Sequence, residues 1–65
     1  MPKAMAEFEG CEATQESDAA LLVLIDGNEV WIPKSQLSDE SEIQEKGDKG
    51  LLVIPEWLAI EKELV

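Results

Sequence analysis

The stretch from Ala19 to Ile32 does most to limit the folds open to this chain. It holds a seven-residue apolar run, Ala19-Ala-Leu-Leu-Val-Leu-Ile25, then Asp26-Gly27-Asn28-Glu29, then Val30-Trp31-Ile32. The run has the length of a strand. Its continuity predicts a strand covered on both faces, although periodicity alone fits a buried helix equally well. The polar segment that follows decides between them. Gly27-Asn28 lies between two apolar stretches and reads as a two-residue hairpin turn, because both residues accept the positive φ of primed turns. Pro33 has no N–H to give to a ladder, so the return strand ends there or lies at a sheet edge.

The rest of the chain supplies material to pack against this hairpin. Ala6-Glu-Phe-Glu-Gly-Cys-Glu-Ala13 alternates small or apolar residues with acids, the period of a half-buried strand with Phe8 inward. Gly10 is a candidate bulge, and Gln15 to Asp18 reads as the turn into the next strand. Lys34-Ser-Gln-Leu37 predicts one helical turn with Leu37 tucked in. Ser38 to Glu42 is an acidic connection, with Ile43 as an apolar anchor. Gly47-Asp-Lys-Gly50 predicts a turn, and Leu51-Leu-Val-Ile54 a second buried strand. Pro55 suits the first position of a helix running to about Leu64. On that helix Trp57, Leu58, Ile60 and Leu64 are expected on one side, Glu56, Ala59, Lys62 and Glu63 on the other, and Glu61 at a solvated rim. The whole predicts a single α+β domain over residues 1–65. Its sheet is small, curled and antiparallel, with three to five strands in an SH3-like or OB-like arrangement, closed by one C-terminal helix. The rings of Trp31 and Trp57 are expected to supply much of the core.

Charge sets the surface. The chain has 15 Asp or Glu, 5 Lys, no Arg and no His, for a formal net charge of −10 over 65 residues. Its 45% hydrophobic content is globular in character. A chain this short buries only ~60% of its unfolded surface, which leaves little room for an internal substrate pocket. The acidic balance disfavours anionic membranes and direct contact with nucleic acid. The start carries no signal-peptide pattern, and the longest apolar run is far short of a membrane span. The single Cys11 suits a reducing compartment. A cytoplasmic, monomeric protein is the expectation.

The residue types give little to catalysis. Without His the commonest general base and metal ligand is missing. Cys11 lies between Glu9 and Glu12, whose charges would raise its pKa, and reads as a small buried side chain. Ser35, Ser38 and Ser41 have no base partner. The carboxylate-rich stretches Asp39-Glu-Ser-Glu42 and Glu45 to Asp48 lack the alternate-ligand pattern of a calcium loop. Lys3, Lys34, Lys46, Lys49 and Lys62 are scattered, with no phosphate cradle. No catalytic residue, metal ligand or cofactor is therefore expected.

What remains is the acidic surface. A 65-residue domain has a radius of gyration of roughly 11 Å and so a diameter near ~28 Å. Duplex DNA of that length carries about 16 phosphate charges, close to the number of carboxylates here. Two candidate partner-binding sets follow. Glu7, Glu9, Glu12, Glu16, Asp18, Asp26 and Glu29 form the first, and the loop acids Asp39, Glu40, Glu42 and Glu45 the second.

The segments Trp31-Ile-Pro-Lys-Ser-Gln-Leu37 and Val53-Ile-Pro-Glu-Trp-Leu-Ala59 carry a resemblance. Over roughly residues 19–64 the chain resembles a group of very small acidic proteins encoded by bacteriophages, prophages and mobile elements. Within that group it is similar to anti-CRISPR proteins that inhibit type I systems, including type I-C. The shared segments read as core and turn residues, which carry fold and not mechanism. The resemblance implies a DNA mimic that binds a basic nucleic-acid-binding surface of the Cascade effector complex and blocks target DNA, in the bacterial host's cytoplasm. The alternative is a non-enzymatic adaptor module that binds a partner through an exposed Trp31 or Trp57. A third reading gives the charge no role beyond solubility.

Overall fold

Four antiparallel strands form the frame of the structure, a computed structural model that describes residues 4–64. They are β1 (Met5–Glu16), β2 (Ala20–Ile25), β3 (Asn28–Pro33) and β4 (Lys49–Pro55), in the spatial order β3-β2-β1-β4. A single 3-10 turn, Lys34–Gln36, follows β3, and the helix α1 (Glu56–Glu61) follows β4. This is the α+β class expected, an open sheet with one C-terminal helix. Lys3 lies outside the described residues.

The β2–β3 hairpin forms as predicted, but its turn is one residue earlier. Ile25 pairs with Asn28, so the loop is Asp26-Gly27 and not Gly27-Asn28. Asp26 (φ 50°) and Gly27 (φ 86°) both hold the positive φ that a type I′ turn needs. The register explains the choice. Either turn keeps Val30 and Ile32 on the same face as Leu21, Val23 and Ile25. A Gly27-Asn28 turn would set Asp26 directly opposite Glu29, and like charges in that position destabilise a ladder.

β1 is shared by both halves of the sheet. Its first part pairs with β4 from Met5 to Glu12, and its last part pairs with β2 from Glu12 to Glu16. Two bulges bend it between these tasks. Phe8 opposes Leu52 and Cys11 opposes Gly50, so Glu9 and Gly10 (φ 70°) face Leu51 alone. Thr14 is the extra residue between the Ala13–Val23 and Gln15–Leu22 pairs. Such bulges increase local twist and curl a sheet.

The main core lies against one face, while on the other face Val53 of β4, opposite Glu7, is also buried. Leu21, Val23 and Ile25 of β2, Ile32 of β3, and Leu52 and Ile54 of β4 point into it. Cys11 and Ala13 fill the space beneath β1, and Phe8 packs at the margin. The expectation that β2 would be covered on both faces fails, because Leu22 and Leu24 on its other side are only half-buried. The described residues bring one short helix and one connecting segment, which leave the outer side of β2 only partly covered.

That connection, residues 37–48, anchors itself through Ile43, which is fully buried, and Leu37, which packs against the core. It forms no strand, yet it masks the outer edge of β4. Ser38 N–H donates to the Val53 carbonyl (3.0 Å) and Glu42 N–H to the Leu51 carbonyl (2.8 Å). The buried hydroxyl of Ser41 accepts from Ile43 N–H and lies 3.2 Å from the carbonyls of Ile43 and Leu51. A buried polar group of this kind must be partnered to be tolerated.

The C-terminal helix differs most from expectation. It begins at Glu56, with Pro55 ending β4, and Glu56 N–H donates to the Ala4 carbonyl. Its buried residues are Leu58 and Ala59. Ala59 is therefore inward, not outward, while Trp57 (53% exposed) and Ile60 (57%) face solvent. Glu61 is exposed, in keeping with the solvated rim expected. The helix ends early because Glu63 takes φ 62° and the chain turns back. Glu63 N–H donates to Ile60 O and Leu64 N–H to Ala59 O, the bond pair of a Schellman cap. Leu64 reaches the core by that turn and not along the helix. Trp31, at 46% exposure, is also outside the core, so both tryptophans contradict the expectation that they fill it. Aliphatic side chains do that work instead.

Candidate protein-binding surface

The hairpin register that places Val30 and Ile32 inward also fixes what faces outward. Leu22 opposes Trp31, and Leu24 opposes Glu29. On the other side of β2, Glu12 opposes Leu24, and Glu12 in turn opposes Lys49 of β4. The uncovered face thus carries a row Lys49–Glu12–Leu24–Glu29 across all four strands, and beside it the pair Leu22–Trp31. With strands ~4.8 Å apart, Glu12 and Glu29 flank Leu24 at a separation of roughly 10 Å. Thr14 Oγ1 lies 3.2 Å from Glu29 Oε2 and 3.3 Å from the Leu22 carbonyl, so it steadies the carboxylate on this face. Half-buried leucines and an exposed indole between carboxylates suit contact with a surface that is both apolar and basic.

The two sheet edges differ. Residues 38–42 occupy the edge of β4. The edge of β3 has no backbone partner among the described residues. In an antiparallel hairpin with a two-residue loop, the flanking pair is hydrogen-bonded and the pairs then alternate. Ile25–Asn28, Val23–Val30 and Leu21–Ile32 are the bonded pairs by this rule. The N–H groups of Glu29 and Trp31 therefore point away from the sheet. Pro33, with no N–H, falls at the next outward position.

The eleven carboxylates singled out in the sequence do not gather on one side. Glu7, Glu12 and Glu29 are on the uncovered face. Asp26 is at the hairpin tip, near the Glu9 bulge, because Leu24 pairs with Glu12. Glu16 and Asp18 are at the opposite end of β2, a strand of six residues or roughly 20 Å. Asp39, Glu40 and Glu45 are exposed on the connection. Besides Glu29, held by Thr14, two of the eleven are tied to the fold. Glu42 Oε1 accepts Leu51 N–H at 2.8 Å, beside Gly50. Glu16 pairs with Lys34 and accepts Lys46 N–H at 3.0 Å, and these bonds hold its pKa below the ordinary value. Asp48, outside both sets, accepts N–H bonds from Gln44 and Glu45 and closes the turn before β4.

Cys11 is buried and its thiol lies 3.4 Å from the Phe8 carbonyl. Its pKa is raised, by burial and not by the neighbouring glutamates. That matches the small buried side chain expected of it. The described residues form no pocket, hold no metal-ligating cluster of three or more His, Cys, Asp or Glu, and include no helix long and apolar enough to cross a membrane.

Sequence reasoning missed Leu22 and Leu24 as surface residues and kept an exposed Trp31 only as the alternative reading. A usable signal was present in the apolar run itself. One helix and one loop cannot cover both faces of a four-stranded sheet, so a strand apolar on both sides must leave one side bare. Against known proteins, no family model matches this sequence, and no curated protein or solved structure matches it significantly.

Proposed function

We propose that this chain is a non-enzymatic protein-binding module whose partner presents a basic surface. The observation that carries this reading is the strip of half-buried Leu22 and Leu24 with exposed Trp31, flanked by the carboxylates of Glu12 and Glu29. Contiguous apolar patches rimmed by polar residues mark interaction sites. The −10 charge steers a cationic partner toward them.

A second reading, a DNA mimic that inhibits a CRISPR effector such as Cascade in the cytoplasm of a bacterial host, has its own support. The scaffold extends 33 Å in its longest direction. A duplex of that length carries about 19 phosphates at one per ~1.7 Å, against 15 carboxylates here. The spread of those carboxylates over several sides of the sheet weighs toward the first reading.

Capture of partners from a lysate of a bacterium carrying a type I system tests both readings. The protein is immobilised and elution is followed against salt. Retention of a basic protein that weakens steeply with salt is expected. Trp31→Ala releases the partner under the module reading. Neutralising Asp39, Glu40 and Glu45 together releases it under the mimic reading. A partner held equally at low and high salt contradicts both.

A further inference from the structure

We infer that the free edge of β3 accepts an extended strand from the partner protein, one that alternates Lys or Arg with aliphatic residues. This deepens the module reading above and rests on it. Three observations converge on the edge. The N–H groups of Glu29 and Trp31 point away from β2, as the hairpin register requires. The opposite edge of the sheet is masked by residues 38–42, while nothing among the described residues pairs with β3. Pro33 blunts only the end of this edge, and with no Lys in β3 and both bulges in β1 the outward N–H groups of Glu29 and Trp31 stay open.

The side chains define the chemistry of the incoming strand. Glu29 and Trp31 share the uncovered face, so residues added beside them on that face are best cationic. One pairs with the Glu29 carboxylate, and the next stacks on the Trp31 indole. Between them Val30 points to the core side and is half-buried at its margin. The residue opposite Val30 is therefore best aliphatic, extending the core by one side chain. Basic outside and aliphatic inside is the alternation of a single strand. A second copy of this chain fits poorly, because it would bring two −10 domains together edge to edge.

The test is an amide-resolved NMR titration of the full chain at low salt with an alternating Lys/Val peptide. The Glu29 and Trp31 amide signals should shift and their hydrogen exchange should slow. Glu29→Gln should weaken binding about threefold through the lost charge pair. Glu29→Pro, which removes an outward N–H without breaking the β2 ladder, should weaken it about tenfold. A peptide N-methylated at alternate residues should likewise lose binding to the unaltered protein, so a poorly folded proline variant does not decide the matter. Equal losses from Gln and Pro together with full binding of the methylated peptide overturn strand addition. So do shifts confined to residues 39–45, or a dimer formed through β3 in place of peptide binding. Shifts confined to residues 39–45 favour the mimic reading instead, and the other outcomes leave the module reading standing. No binding of the basic peptide at any site, even at low salt, overturns both.

Discussion

Leu21 and Leu22 are neighbours on β2 with the same side chain and opposite surroundings. Leu21 is fully buried among Ile32, Ile54 and the other aliphatics of the core. Leu22 shares its face with Trp31 and is half-buried. One side of the sheet is closed by Ile43, Leu58 and Ala59, and on the other side no described residue covers β2 and β3. The difference separates two uses of the same residue type. On the covered side apolar area removed from water stabilises the fold at ~25 cal/mol per Å². On the bare side much of that gain is still available to a partner. The carboxylates of Glu12 and Glu29, placed around the bare strip, bias which partner collects it.

Changes on the covered side should have the largest effects. Ile43→Ala removes a fully buried side chain and should cost about 2–5 kcal/mol. Urea denaturation would show a large fraction unfolded in so small a domain. A loss below ~1 kcal/mol would mean that the 37–48 connection is not part of the closed face. Gly50→Ala should cost more than about 1 kcal/mol. Its φ is +128°, and an added Cβ would meet Glu42 Oε1 while that oxygen holds Leu51 N–H. At the helix end the sign reverses. Glu63→Gly should stabilise the chain by about 1 kcal/mol, because the left-handed position at a Schellman cap favours glycine.

Smaller effects are expected from the bare side and its margin. Trp31→Ala should cost under about 1 kcal/mol, the worth of its cross-strand contact with Leu22, while abolishing capture of a basic partner. A large loss of stability would contradict the account of the two faces. Glu16→Gln should produce the smallest change, and its pH dependence carries the information. Because bonding to Lys34 and Lys46 N–H lowers the Glu16 pKa, its contribution is present at neutral pH and is lost as pH falls through the lowered value. Urea midpoints of the two proteins should therefore differ at pH 7 and converge in acid. A gap that persists in acid would assign the effect to something other than the ion pair.

Much of the fold is legible because its determinants are local. Pro33 closes the return strand, Gly10 marks a bulge, and the alternation around Phe8 reports a half-buried β1. Leu37 and Ile43 are apolar residues isolated in polar stretches, and both reach the core. The errors come from interactions at a distance. The hairpin turn lies one residue from the one expected because the apolar pattern is the same in both registers, which are separated by the fitness of Asp26-Gly27 for a type I′ turn and by the avoided Asp26–Glu29 repulsion. The helix face was misread because Glu63, a residue that rarely takes positive φ, ends the helix and delivers Leu64 by another route. Residue type alone points Trp31 and Trp57 to the core, but the space beneath the sheet is filled by aliphatic side chains. The bare strip was hidden for a related reason. A continuous apolar run states that both sides of β2 are apolar, and it is silent on how much covering material the rest of the chain can bring.

The most direct test of the contrast between the faces is a paired measurement on β2. Urea denaturation of Leu21→Ala and Leu22→Ala under one set of conditions compares truncations at adjacent positions of the same strand. A loss of about 2–5 kcal/mol is expected for Leu21→Ala, and about 1 kcal/mol for Leu22→Ala, which gives up partial burial and leaves no closed cavity. Equal losses at the two positions would contradict the claim that this chain leaves one face of its sheet open for a partner.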